Sequence, residues 1–99
     1  MNESTRRIVQ HILAVPKGKV SSYRDIALKA GIPNGARQVA RALHGLSEKL
    51  GLPWQRIIRC DGNIALAPGA GKELQTALLR TEGVEVSDSG KVDMVRFGV

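Results

Sequence analysis

The chain has 99 residues, of which 42% are hydrophobic, which suffices for one small domain with a single core and excludes two folded domains. The only cysteine, Cys60, excludes an internal disulfide, and no spaced histidine cluster accompanies it. We therefore expect a reducing cytoplasm and neither metal nor other cofactor. The start, MNESTRR, lacks the apolar segment of a secretion signal, and no stretch approaches the roughly 18 apolar residues of a membrane helix, so we expect no membrane partner.

The formal net charge of +6 lies in one half of the chain. Residues 1–50 contain nine Lys or Arg against three Asp or Glu, whereas residues 51–99 contain six of each. A basic half of this kind suits a polyanion, because Lys and Arg that neutralise phosphates release counterions. An ordinary solvated basic surface explains the charge equally well.

The segment ESTRRIVQHILAVPKGK predicts a first helix, because its apolar residues recur at helical spacing. We expect Ser4 to cap its start and Pro16 to end it. The apolar face consists of Ile8, Val9, Ile12 and Leu13.

The next segment has the pattern of a helix-turn-helix. Ser22, with Asp25 three residues later, predicts the cap of a second helix over residues 23–30 that ends at Gly31. After the turn GIPNG, Asn34 is a candidate N-cap for a third helix. Its apolar face is predicted to hold Ala36, Val39, Ala40 and Leu43, and its polar face Arg37, Gln38 and Arg41.

The remaining pattern is mixed. Residues 47–55 show no period and predict a loop, and RIIRCDGNIAL predicts two short strands around Asp61-Gly62, a hairpin that would form a wing. KELQTALLRTEG predicts a last helix that ends at Gly83 and packs through Leu74, Ala77 and Leu78, followed by a partly extended tail. The fold expected for residues 1–99 is a mostly α, winged helix-turn-helix DNA-binding domain with a small β hairpin.

Five stretches occur in the order and spacing of one known family. VPKGKVSSYRDIA, GIPNGARQVARAL, PWQRII, DG and LLRTEGV together resemble the DNA-binding domain of the O6-alkylguanine-DNA alkyltransferases, from about residue 15 to residue 84. In those enzymes a Pro-Cys-His-Arg motif supplies the thiolate that accepts the alkyl group, and a nearby base and acid lower the pKa of the thiol.

In this chain the motif is Pro53-Trp54-Gln55-Arg56. Trp54 occupies the nucleophile position and Gln55 the base position, so the position offers no thiolate for alkyl transfer; Glu82 remains where the acid would be. With a tryptophan at that position, the chain resembles the alkyltransferase-like proteins, which bind alkylated DNA without repairing it. Gln55 departs from their usual histidine.

The resemblance also implies roles for individual residues. Arg37 corresponds to the arginine that enters the base stack in place of the lesion, and Tyr23 to the tyrosine that helps rotate the 3′ phosphate. A phosphate contact for Arg37 and plain packing for Tyr23 are the simpler alternatives. The expected lesion pocket contains Trp54, Tyr23, Val15, Pro16, Pro53 and Arg56. The expected DNA-binding residues are Ser22, Asn34, Gly35, Ala36, Arg37, Gln38, Ala40 and Arg41.

The function that the resemblance implies is a lesion sensor without enzymatic activity. Such a protein binds O6-alkylguanine in double-stranded DNA, flips the damaged base into a pocket and marks the site for nucleotide excision repair proteins. We expect a monomer in the cytoplasm, associated with the nucleoid when bound to DNA. Two alternatives stay open: an active alkyltransferase that uses Cys60, and a winged-helix transcription regulator that reads base sequence.

Overall fold

Helices make up most of the regular structure in the computed structural model, which describes residues 1–99. Five α-helices, one short 3-10 helix and two short strands follow along the chain. They are α1 (Glu3–Leu13), β1 (Ser21–Ser22), α2 (Tyr23–Lys29), α3 (Ala36–Leu50), the 3-10 helix (Trp54–Arg56), β2 (Ile57–Ile58), α4 (Lys72–Thr81) and α5 (Met94–Phe97). None of these helices combines the length and the apolar composition needed to cross a membrane.

The helix-turn-helix is formed by α2 and α3, which pack against each other and against α1. As predicted, the Ser22 side chain caps α2 and accepts a hydrogen bond of 3.0 Å from the backbone N–H of Asp25. Gly31, with φ of 75°, follows the end of α2. Helices commonly end at a glycine with positive φ. The capping serine and the glycine were therefore sufficient to predict both ends of α2 from the sequence.

The starts of α1 and α3 differ from the predictions. Asn2, not Ser4, caps α1 by accepting from the N–H of Thr5 at 2.8 Å. The N-cap of α3 is Gly35, and no side chain caps this helix. Asn34 is not the N-cap, because its φ of 66° places it in the preceding turn. A Cβ on Gly35 would lie 2.7 Å from the carbonyl oxygen of Ile32, so the tight turn has no room for a side chain there.

The third helix is longer than predicted and includes residues 47–50, the first four of the nine residues expected to form a loop at 47–55. It runs to Leu50 and ends at Gly51, whose φ of 63° is left-handed. The loop prediction was wrong because SEKL, polar and without a visible period, consists largely of good helix formers and continues a helix that is already anchored.

The predicted hairpin at Asp61-Gly62 does not form. The strand Ile57–Ile58 instead pairs in parallel with Ser21–Ser22, with Ser21 opposite Ile57 and Ser22 opposite Ile58. The chain does turn after Ile58, since the N–H of Arg59 donates to the carbonyl of Asn63, but Asn63 then bridges to Lys91. Ile57 and Ile58 therefore pair with a strand that is distant in sequence and not with residues across Asp61-Gly62. The small sheet is not the predicted wing hairpin.

Two apolar clusters lie on the two sides of this strand pair. The first joins α1, α2 and α3 and ends on Ile57, and the second includes Ile58, α4 and the tail. Ile57 and Ile58 are both fully buried, so adjacent residues of one strand point into different clusters. The parallel pair therefore connects the helix-turn-helix to the C-terminal half.

Two predictions for the C-terminal half were wrong in detail. The buried residues of α4 are Gln75 and Leu79, while Leu74 is 57% exposed. The tail is not an extended end, because it forms α5 and buries Val92 and Phe97 in the second cluster.

Candidate nucleic-acid interface

The exposed face of α3 is the main basic surface of the helix-turn-helix. Arg37, Gln38, Ala40 and Arg41 are exposed, and Ala36 is half-buried. Ala40 therefore belongs to the outer face and not to the predicted apolar face. The buried face consists of Val39, Ala42 and Leu43.

Three arginines of the helix-turn-helix are free of intramolecular ion pairs. No carboxylate oxygen lies within 4.0 Å of the guanidinium groups of Arg24, Arg37 or Arg41, whereas five other arginines have such a partner. The first turn of α3 also contains no acidic residue. Unpaired arginines on a helix next to small residues are suited to contacts with phosphates, because no internal pair has to be broken.

Two of the residues predicted to contact DNA, Ser22 and Gly35, are buried in the structure. The Ser22 side chain is fully buried and its hydroxyl caps α2, so its role is structural. Gly35 is also buried and its N–H donates to the carbonyl of Ile32 at 2.9 Å. Asn34, in contrast, is exposed in the turn between the helices.

A cavity of about 700 Å³ lies beside this basic face. One wall belongs to α3 and consists of Ala40, Leu43, His44, Ser47 and Glu48. The rest of the lining is Tyr23, Gly51, Leu52, Trp54, Leu66 and Gln75. Its volume falls within the roughly 300–1,000 Å³ of small-molecule sites, and its walls combine apolar and aromatic side chains with a few polar groups.

Of the six residues predicted for the pocket, only Trp54 and Tyr23 line this cavity. Val15 is buried in the first cluster, Pro16 is exposed outside the cavity, and Pro53 precedes the 3-10 helix without reaching the wall. Arg56 turns away toward Glu82. The cavity residues of α3 beyond Ala40 were not predicted as site residues. Two of them, Ser47 and Glu48, lie in the segment that was expected to be a loop.

Tyr23 contributes a half-buried phenol at the start of α2. Burial raises the pKa of its hydroxyl above the ordinary value, so the group is neutral at physiological pH. None of the side-chain hydrogen bonds in the structure involves this hydroxyl, and Tyr23 lines the cavity, so the phenol can donate to a ligand there.

The 3-10 helix that begins at Trp54 is held at its other end, Arg56, by an ion pair. The Arg56 guanidinium donates to both oxygens of Glu82, with Nη2 to Oε2 and Nε to Oε1 each 2.9 Å, and its Nη1 donates to the Val15 carbonyl at 2.9 Å. The Glu82 side chain is only 9% exposed and that of Arg56 17%. We refer to Arg56, Glu82, Gln55 and their bonded backbone groups as the Glu82 clamp.

Gln55 also belongs to the Glu82 clamp, since its Nε2 donates to Glu82 Oε2 at 2.8 Å. Burial raises the pKa of the Glu82 carboxyl, but the hydrogen bonds from Arg56 and Gln55 and the charge of Arg56 outweigh burial and lower that pKa below its ordinary value. The amide therefore makes a hydrogen bond to the acid without being able to accept a proton from a nucleophile.

A second glutamine fixes the backbone of the same turn. Gln75 is buried in α4, and its Nε2 donates to the carbonyls of Gln55 at 3.0 Å and Ile57 at 3.2 Å. Two hydrogen bonds to the main chain around the 3-10 helix hold this short element, so Trp54 is presented to the cavity by a supported backbone.

Cys60 lies away from the cavity. It is exposed after β2 and borders a different surface depression, together with Lys91 and Met94. The single thiol of the chain is therefore not in the wall that contains Trp54.

Residues 3–84 match the family model of the 6-O-methylguanine DNA methyltransferase DNA-binding domain. The DNA base-flipping protein of Vibrio parahaemolyticus is 41% identical over 97 residues, covering 98% of this chain and 96% of that protein. The DNA base-flipping protein of Escherichia coli K12 is 41% identical over 92 residues, covering 93% and 70%. The crystal structure of Schizosaccharomyces pombe Atl1 with damaged DNA containing O6-carboxymethylguanine aligns with a TM-score of 0.86 at 32% identity, covering 98% of this chain and 94% of that one.

The Glu82 clamp predicts both a loss of stability and a change in its pH dependence. Because the folded-state pKa of Glu82 is lowered, its stabilisation is present above the unfolded-state pKa of about 4.3 and is lost as pH falls through the folded-state value. Glu82→Gln should lower the free energy of unfolding at pH 7 by about 2 kcal/mol or more, since it leaves the mostly buried Arg56 charge without its carboxylate. Urea unfolding between pH 7 and 3 measures both effects.

The matched control is Glu85→Gln. Glu85 pairs with Arg96 at 2.7 Å, but both side chains are more than half exposed. We expect a change of less than about 1 kcal/mol and an acid dependence close to that of the unaltered chain. Equal losses from the two substitutions would contradict the structural importance of the Glu82 clamp.

Proposed function

Because the chain belongs to the family of the 6-O-methylguanine DNA methyltransferase DNA-binding domain and has Trp54 in the wall of its cavity, we propose that it is a non-enzymatic sensor of O6-alkylguanine in duplex DNA. It flips the damaged base into the cavity and marks the site for nucleotide excision repair. The observation that carries the proposal is that Trp54 and Tyr23 line the same cavity. The motif resemblance aligns Trp54 with the nucleophile of the related enzymes. The complex of Atl1 with damaged DNA supports DNA as the partner.

The cavity and the basic face are close enough to act together. Ala40 lines the cavity and lies three residues after Arg37 on α3, a rise of roughly 4.5 Å along the helix. An arginine at that distance can fill the gap that a flipped base leaves, and the small side chains of Ala36 and Ala40 let the helix approach the DNA closely. In this proposal Arg37 supports the extrahelical base and Trp54 stacks on it.

Lesion preference then has two physical sources. Extruding a base costs a few kcal/mol, and less where pairing is already weakened, as it is for an alkylated guanine. The apolar side chains in the wall, Leu43, Leu52 and Leu66, favour an alkyl substituent over water. We further propose that the protein acts as a monomer on the nucleoid of the cytoplasm.

Binding to duplexes that contain O6-methylguanine tests the flipping step. Trp54→Ala should reduce the preference for the methylated over the plain duplex by roughly tenfold, because base stacking on an aromatic residue contributes about 1–3 kcal/mol. Arg37→Ala should reduce it similarly. Fluorescence anisotropy gives both affinities, and the emission of Trp54, the only tryptophan, should change more with the methylated duplex.

The matched control for Arg37 is Arg59→Ala, which removes the same charge from an exposed arginine that pairs with Asp61. It should weaken binding to both duplexes alike and leave their ratio unchanged. If Trp54→Ala and Arg37→Ala also left the ratio unchanged, the flipping proposal would fail.

The alternative of an alkyltransferase that uses Cys60 makes a different prediction for the recovered protein. After incubation with O6-methylguanine duplex, we expect the intact mass of the chain to be unchanged, because the only thiol lies outside the cavity. A gain of one methyl group that Cys60→Ser abolishes would establish transfer and overturn the non-enzymatic assignment. A transcription regulator would instead discriminate among undamaged sequences in the binding assay.

The link to nucleotide excision repair has its own test. In a reconstituted excision reaction, addition of the protein should increase incision at an O6-alkylguanine, and Trp54→Ala should remove the increase. A plain duplex serves as the control substrate. Incision that is unchanged or reduced by the unaltered protein would separate lesion binding from repair and refute the second part of the proposal.

A further inference from the structure

The wall of the cavity contains one acidic side chain and no Lys or Arg. The acidic side chain is that of Glu48, an exposed residue in the last turns of α3. Its carboxylate takes part in none of the ion pairs of the structure. The adjacent Lys49 is exposed but is not among the residues of the wall.

None of the other polar groups of the wall carries a permanent positive charge. The Ser47 hydroxyl donates to the Leu43 carbonyl, and the Gln75 amide nitrogen donates to the main chain at the 3-10 helix. Tyr23 is neutral at physiological pH, since burial raises the pKa of its hydroxyl. His44, one turn before Glu48, is the only other ionisable group of the wall.

We infer that Glu48 makes the cavity select O6 substituents by charge, so that an anionic substituent binds less tightly than a neutral one of the same shape and a cationic one more tightly. The inference rests on the proposed function, because it assumes that the alkylated base enters this cavity. It assigns Glu48 as a specificity-determining residue.

The dimensions of the cavity make the effect measurable. A sphere with the cavity's volume of about 700 Å³ is roughly 11 Å across, so a charge bound inside lies within about one Debye length of the wall. The leucine and tryptophan side chains of the wall lower the local dielectric constant below that of water, although Glu48 itself is exposed to solvent. At 6–8 Å with an effective dielectric constant between about 40 and 80, which suits an exposed carboxylate, Coulomb's law gives roughly two- to tenfold discrimination.

The test compares duplexes whose lesions differ in charge, and two of the three lesions, the carboxymethyl and carbamoylmethyl groups, have nearly the same shape. O6-carboxymethylguanine is anionic, O6-carbamoylmethylguanine is its neutral counterpart, and O6-(2-aminoethyl)guanine is cationic. The unaltered chain should bind the carbamoylmethyl duplex at least about twofold more tightly than the carboxymethyl duplex, and Glu48→Gln should bring that ratio close to one. The advantage of the aminoethyl duplex should fall in the same variant.

The control is Glu85→Gln, which changes the net charge equally at an exposed residue outside the cavity. It should strengthen binding to all duplexes alike and leave both ratios unchanged. Ratios that Glu48→Gln does not move, or that Glu85→Gln moves equally, would overturn the inference. O6-methylguanine and plain guanine duplexes are measured in parallel, because the absence of any preference between those two would refute the proposed function itself.

Discussion

The carboxylate of Glu82 is the constraint on which the site depends. It lies at the C-cap of α4, where the helix dipole disfavours a negative charge, and it is largely buried. The paired hydrogen bonds from Arg56 offset both costs, and the same guanidinium reaches the Val15 carbonyl. One ion pair thus joins the loop after α1, the 3-10 helix and the end of α4, three segments that are distant in sequence.

The strand pair extends this constraint to the helix-turn-helix. Ser22 ends β1 and caps α2, and Ile57, which follows the 3-10 helix directly, pairs with Ser21. The turn that presents Trp54 is therefore one strand away from the start of α2, where Tyr23 lies. This short connection and the long α3 together form the cavity. Its two aromatic residues, Tyr23 and Trp54, lie in elements that directly adjoin the two paired strands.

The parts of the structure that could be predicted from sequence are those with local causes. The helix after Ser22 follows from a capping residue and a glycine a few positions apart, and the basic face of α3 follows from helical spacing. The sequence did not reveal that Ile57 would pair with Ser21, thirty-six residues earlier, in preference to a near neighbour across Asp61-Gly62. Pairings of this kind depend on which buried surface is available in the folded chain, and periodicity carries no information about it.

The same distinction explains the site. Trp54 and Tyr23 were identified through motif resemblance, and the structure places both in the cavity wall, whereas Arg56, equally part of the motif, supports the wall from behind. Gln55 then acquires a physical meaning. As a neutral amide it donates to Glu82 whatever the pH, so the network around the carboxylate is kept without a titratable base. The Gln55 amide offers no basic group to a neighbouring nucleophile, and its hydrogen bond ties the 3-10 helix to Glu82 at the end of α4.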